Sequence, residues 1–156
     1  MKSLFSVLIP IVALVGCAPP DTTLQVPKRS NVVLSATKNQ VWPLIISEIG
    51  LNYPVQALEK ESGLITTQFV NLPVTFNNGN AATWIYPPGG FLATWGGLRV
   101  NLRILAVEIE AGKTSLTINC HYEAFESNVQ KAWVLAKSNG SLENELITRI
   151  EAKLPK

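Results

Sequence analysis

The clearest order in this 156-residue chain is a two-residue alternation between positions 98 and 125. Leu98, Val100, Leu102, Ile104 and Ala106 alternate with Arg99, Asn101 and Arg103. Leu116, Ile118, Cys120, Tyr122 and Ala124 then alternate with Thr117, Asn119, His121 and Glu123. Successive side chains on a strand point to opposite faces, so the pattern predicts two half-buried antiparallel strands. Glu110-Ala111-Gly112 between them fits a three-residue hairpin loop with Gly112 in the left-handed conformation. That loop sets Ile109 opposite Lys113, and therefore Arg99 opposite Glu123 and Asn101 opposite His121. A slip of one residue would turn the core side chains to water, so the register is tightly specified.

A second periodicity marks two helices. Thr37 with Gln40 makes a capping box, and Val41, Leu44, Ile45 and Ile49 follow at helical spacing until Gly50. Pro43 is expected near the first turn, where a missing amide matters least. At the other end Leu142, Leu146, Ile147, Ile150 and Leu154 form one apolar stripe, with acids early and bases late as the helix dipole favours. Shorter β-rich runs fill the rest: 31–35, 53–59, 64–70, 72–76, 82–86 and 133–136. Gly63 and the Asn77-Asn78-Gly79-Asn80 run mark turns. Residues 87–97 hold too many glycines and prolines for a regular element. The order β-α-β(several)-α predicts an α+β class, an antiparallel sheet packed on helices.

The N-terminus follows neither rhythm. A cationic start, Met1-Lys2-Ser3, precedes thirteen nearly all-apolar residues, the layout of a secretory signal peptide. That run is short of the ~20 apolar residues of a membrane-spanning helix and contains Pro10. Leu14-Val15-Gly16-Cys17 resembles the lipobox of bacterial lipoproteins. The resemblance implies cleavage between Gly16 and Cys17, with diacylglycerol and an N-acyl chain as covalent lipid on Cys17. It also implies an outer-membrane inner-leaflet location facing the periplasm, because Ala18 follows the cysteine. Two or three acyl chains anchor stably where one does not, each buried methylene adding ~0.8 kcal/mol. Residues 18–30 hold three prolines and read as a tether. The expected organisation is a signal peptide at 1–16, a lipidated cysteine and tether at 17–30, and one domain at 31–156.

Removing the first 16 of the 156 residues leaves 140 and takes Lys2 away, so the formal charge falls from +2 to +1. A chain of that size buries enough surface to fold without a metal or disulfide staple. Near-neutrality, with Lys28-Arg29 as the nearest basic run, argues against nucleic acid as a partner.

The strand-and-helix order resembles the helix-grip arrangement, a curved sheet around a C-terminal helix. More narrowly, Val41-Trp42, Gly63-Leu64-Ile65-Thr66-Thr67 and Ser138-Asn139-Gly140-Ser141-Leu142-Glu143 resemble segments of the BamC-type envelope lipoproteins, loosely over residues 31–154. Those are non-enzymatic accessories of outer-membrane barrel assembly with two such domains after a long unstructured segment. This chain has room for one.

Candidate chemistry is sparse. His121 is the only histidine and falls on a polar strand face, no CxxC or HExxH spacing occurs, and no phosphate-loop spacing surrounds Gly89-Gly90 or Gly96-Gly97. No catalytic residue, metal site or cofactor is expected. Cys120 falls on the inward face, as a small buried hydrophobe or, in another strand phase, an intermolecular bridge. Trp84, Tyr86, Phe91 and Trp95 crowd twelve residues of irregular chain. They form either a partner-docking loop or a lid packed on the sheet's own core. Two functions follow: a lipid-anchored adaptor binding another envelope protein, or a carrier of a lipid or apolar ligand between sheet and C-terminal helix.

Overall fold

A computed structural model describes residues 30–73, 76, 80–86, 88 and 94–155. Gly16, Cys17, the tether as far as residue 29, Phe91 and residues 77–79 of the expected turn lie outside the described residues, whereas the Ser30 carbonyl already accepts from the Ile118 N–H at 2.8 Å. The alternating segment forms the longest elements, β5 (Trp95–Glu110) and β6 (Lys113–Glu126). Arg99 pairs with Glu123 and Asn101 with His121, as the loop argument required. At the tip the register shifts by one, so Glu110, not Ile109, lies opposite Lys113. Gly112 at φ 75 turns the chain there and admits the extra residue as a bulge.

Five shorter strands flank this hairpin: β1 (Asn31–Leu34), β2 (Val55–Glu59), β3 (Leu64–Thr67), β4 (Val70–Leu72) and β7 (Ala132–Ala136). All pairings are antiparallel, in the order β1-β6-β5-β3-β2, with β4 on β5 beyond β3 and β7 on β6 beyond β1. The 64–70 run is thus two strands rather than one. Between their ladders the Leu102 N–H donates to the hydroxyl of fully buried Thr67 at 2.9 Å, so the interruption leaves no orphan amide.

Three further expectations are corrected. Residues 82–86 are not a strand: a short 3-10 helix covers Asn80–Thr83, and Ile85 makes an isolated bridge to Ser138. Among the described residues of the run 72–76, only Leu72 belongs to a strand. Trp95-Gly96-Gly97 does join a regular element, because β6 pairs along it, Glu126 opposite Trp95 and Phe125 opposite Gly97.

Two helices, α1 (Lys38–Ile49) and α2 (Ser141–Ala152), lie against one another and against the same sheet face. Thr37 and Gln40 close the capping box at α1. Pro43 sits inside the helix, past the first turn, and is tolerated because its ring is exposed while Val41, Trp42 and Ile45 anchor the core side. Glu48 of α1 meets Lys153 at 2.6 Å and Arg149 at 3.1 Å. The Lys153 contact, foremost, outweighs burial and holds the Glu48 carboxyl below its ordinary pKa. Exposed cations limit such ties to roughly 0.2–1 kcal/mol each.

The main stabilisation lies between the layers. Ile45, Ile49, Leu102, Ile104, Leu116, Ile118, Leu146 and Ile147 are buried there, each such side chain contributing roughly 1.5–3 kcal/mol. Cys120 lies on this inner face as expected, half-buried and packed against the core.

Two glycines with positive φ separate strain from clash. At Gly112 (φ +75) an added Cβ meets nothing within 4 Å, whereas at Gly63 (φ +74) it falls 1.9 Å from the Ala106 carbonyl oxygen. Gly112→Ala is expected to destabilise by about 1–2 kcal/mol. Gly63→Ala should cost clearly more, because β3 must also move off β5. Urea unfolding of the two variants checks this order.

Candidate functional site

Both helices cover one sheet face, and the opposite face carries the odd-numbered side chains of β5 from Arg99 to Val107 and of β6 from Ser115 to Phe125. Arg99 projects there because Leu98 and Val100 are turned into the core. Its Nε donates to Glu123 Oε2 at 2.7 Å, and Nη2 lies 2.5 Å from the same oxygen. The guanidinium is flanked by two rings, Phe69 at 4.5 Å and Trp133 at 4.3 Å. Phe69 meets His121 edge-on at 5.7 Å, and Trp133 meets Phe125 at 5.4 Å. The His121 Nε2 is 3.6 Å from Glu123 Oε1. Five side chains thus line up across the outer face as Phe125, Trp133, Arg99, Phe69 and His121. Cation–π contacts of this kind are worth roughly 0.5–1 kcal/mol at exposed sites.

Beside this row lies a cavity of about 450 Å³ whose lining includes Asn71, Pro73, Gly96, Gly97, Phe125 and Trp133. Gly97 keeps it open: an added Cβ would stand 3.6 Å from the Trp133 ring. Its size is that of a pocket for a small ligand or one large side chain. Farther along the same face, Arg103, Thr117 and Asn119 together with Leu64 and Leu105 help line a depression of about 370 Å³ of mixed character.

The β6–β7 connection holds Trp133 in place. Glu126 is 3 % exposed, and its carboxylate accepts the amides of Asn128 (2.8 Å), Val129 (2.9 Å) and Gln130. Burial raises the pKa of this group, but the backbone amides of Gln130, Val129 and Asn128, with Thr94, prevail and draw it down to about 2.

Of the expected aromatic residues, those described lie closer to the lid reading than to an open docking loop. Trp84 and Trp95 are half-buried and packed against the core, and Trp95 is 6.2 Å from Phe76. Tyr86 is half-buried, with the Lys137 ammonium 5.3 Å from its ring. The 84–86 segment is stitched to the start of α2: the Tyr86 N–H donates to Lys137 and the Asn139 N–H to Trp84. Asn139 Nδ2 also donates to the Ala82 and Thr83 carbonyls. Phe69, Phe125 and Trp133 escaped the sequence reading, although an aromatic at 125 continues the polar phase of His121 and Glu123 and so marks the outer face.

On the inner face Tyr122 is fully buried, and its hydroxyl has no hydrogen-bond partner among the described residues apart from the weakly bonding thiol beside it. Burial first, then Cys120, Glu143 and Tyr53, raise its pKa, so it stays a neutral phenol. Fully buried Glu143 accepts from Ser138 Oγ at 2.7 Å. Among the described residues no group of three or more His, Cys, Asp or Glu is placed to hold a metal ion.

Glu126 gives the site an acid limit. Its pKa falls from an ordinary value near 4.5 to about 2 on folding. Its contribution to stability is therefore complete above about pH 4.5 and is lost as pH falls toward 2. Denaturant unfolding across that window should show a shallower pH slope for Glu126→Gln than for the native chain. Compared with known proteins, the chain matches no family model and no curated sequence.

Proposed function

We propose that this chain is a lipid-anchored adaptor of the bacterial envelope that binds another envelope protein through its outer sheet face, in outer-membrane assembly or maintenance. The observation that carries the binding half is the asymmetry of the sheet. One face is sealed by α1 and α2, while the other presents a row of aromatic and cationic side chains beside an open, glycine-floored cavity. Rings wet on one side and packed on the other are favoured at protein interfaces. The anchoring half rests on the lipobox-like Leu14-Val15-Gly16-Cys17, with Cys17 as the lipidated residue facing the periplasm after cleavage at Gly16. A non-catalytic role accords with a site built from stacking and ion pairing.

The carrier reading has less support. Leu142, Leu146, Ile147 and Ile150 of α2 are all buried against the sheet and α1, so bulky aliphatic side chains occupy the groove that an apolar ligand would need. Trp84, Tyr86 and Trp95 stay in the proposal as flanking contacts, and Phe91 stays on the sequence alone. Trp84 and Trp95 are poor probes, because their rings also pack on the core.

Phe69 is 39 % exposed and Trp133 is on the outer face, so changing them separates binding from folding. A Phe69→Ala, Trp133→Ala double variant should melt within a few degrees of the native chain yet lose most cross-linked partner in cells. Unchanged capture would eliminate the outer face. Cys17→Ser should abolish incorporation of labelled palmitate, and persistent labelling would refute the anchor.

A further inference from the structure

We propose that β7 is a docking strand that takes an extended segment of a partner protein, apolar in its centre and acidic at both ends. The inference rests on the adaptor reading and names its partner's chemistry.

β7 runs Ala132-Trp133-Val134-Leu135-Ala136 and pairs with β6 in one unbroken register, and among the described residues no strand covers its other side. An edge strand presents unpaired N–H and C=O groups, and most proteins blunt such edges with charge, proline or a bulge. β7 has none of these within its five residues. Leu135 is 67 % exposed, and Trp133 stands two positions earlier on the same outer face. An added strand would lay alternate side chains beside those two, the arrangement by which strand addition gains both affinity and selectivity.

The flanks identify the occupant. Lys131 immediately precedes β7 and Lys137 immediately follows it, both exposed and neither with an ion-pair partner among the described residues. Nearby acids are committed elsewhere, Glu123 to Arg99 and Glu126 to backbone amides. Two copies of this chain paired antiparallel along β7 would set Lys131 of one against Lys137 of the other at both ends. Paired parallel, each lysine would face its own copy. Like charges directly opposite are destabilising, so a second copy is the wrong occupant. A segment with an acid at each end turns both positions attractive. Its length is bounded too, because beyond Lys137 the chain is engaged: the Lys137 carbonyl accepts from Tyr86 and Ser138 bridges Ile85.

The test uses the full chain and two dye-labelled peptides, Asp-Val-Thr-Val-Thr-Val-Asp and the same sequence with lysine at both ends. Fluorescence anisotropy should show the acidic peptide binding about tenfold more tightly. It should also slow amide exchange within 132–136, and a Lys131→Glu, Lys137→Glu double variant should reverse the preference. Equal binding of the two peptides, protection confined to another strand, or a β7-dependent dimer in sedimentation would overturn the inference. Loss of peptide preference with Phe69- and Trp133-dependent capture intact would overturn this inference alone and leave the adaptor reading standing.

Discussion

Along the β5–β6 hairpin Leu98 lies opposite Ala124 and Arg99 opposite Glu123, and the same parity holds as far as Val107 opposite Ser115. Side chains alternate along a strand, so between the bulges at the two ends this parity sends even-numbered residues of the pair inward and odd-numbered ones outward. The inward set, with Val100, Leu102, Ile104 and Ile118 fully buried, requires a cover, and the apolar stripes of α1 and α2 supply it. The outward set holds Arg99, His121, Glu123 and Phe125, the framework of the proposed binding face. A single shift in register would destroy core and site together.

The sequence made this parity legible because two long strands with polar and apolar positions in strict alternation admit one solution. The helices were legible for a related reason: Thr37 with Gln40 and the stripe from Leu142 to Ile150 are local signals that packing reinforces. What was hidden depended on distant neighbours. Gly96 and Gly97 read as a loop until β6 is seen to pair along them. Ile85 read as part of a strand, yet its bridge is to Ser138, 53 positions on. The Arg99 stack joins Arg99 of β5 and Trp133 of β7 to Phe69 in the link between β3 and β4, and no short window of sequence contains it.

The crowding of Trp84, Tyr86, Phe91 and Trp95 pointed toward a docking loop, but aromatic density alone does not distinguish an interface from a core. Trp84 illustrates why. Its carbonyl accepts from Asn139, and its ring packs on buried residues, so the segment serves as a strap over the start of α2. Phe69 and Trp133 differ in being held from one side by a cation that is itself fixed by Glu123. Rings fixed in this way lose little conformational freedom on meeting a partner, which favours binding.

The segments that resemble BamC-type proteins have structural duties that account for their residues. Gly63 is required by positive φ and by the Ala106 carbonyl against it, and Thr67 satisfies the Leu102 amide. In the run from Ser138 to Glu143, the Ser138 hydroxyl binds the buried carboxylate, Asn139 Oδ1 accepts from Ser141, and Gly140 adopts φ 89 at the helix start. Each solves a backbone or burial problem that any chain with this sheet-to-helix junction must solve. Such residues answer to the junction itself and are silent about family and partners alike. In the proposed adaptor, specificity therefore falls to what the scaffold leaves exposed: the ring-and-cation row on the outer face and the lysine-flanked edge beside it.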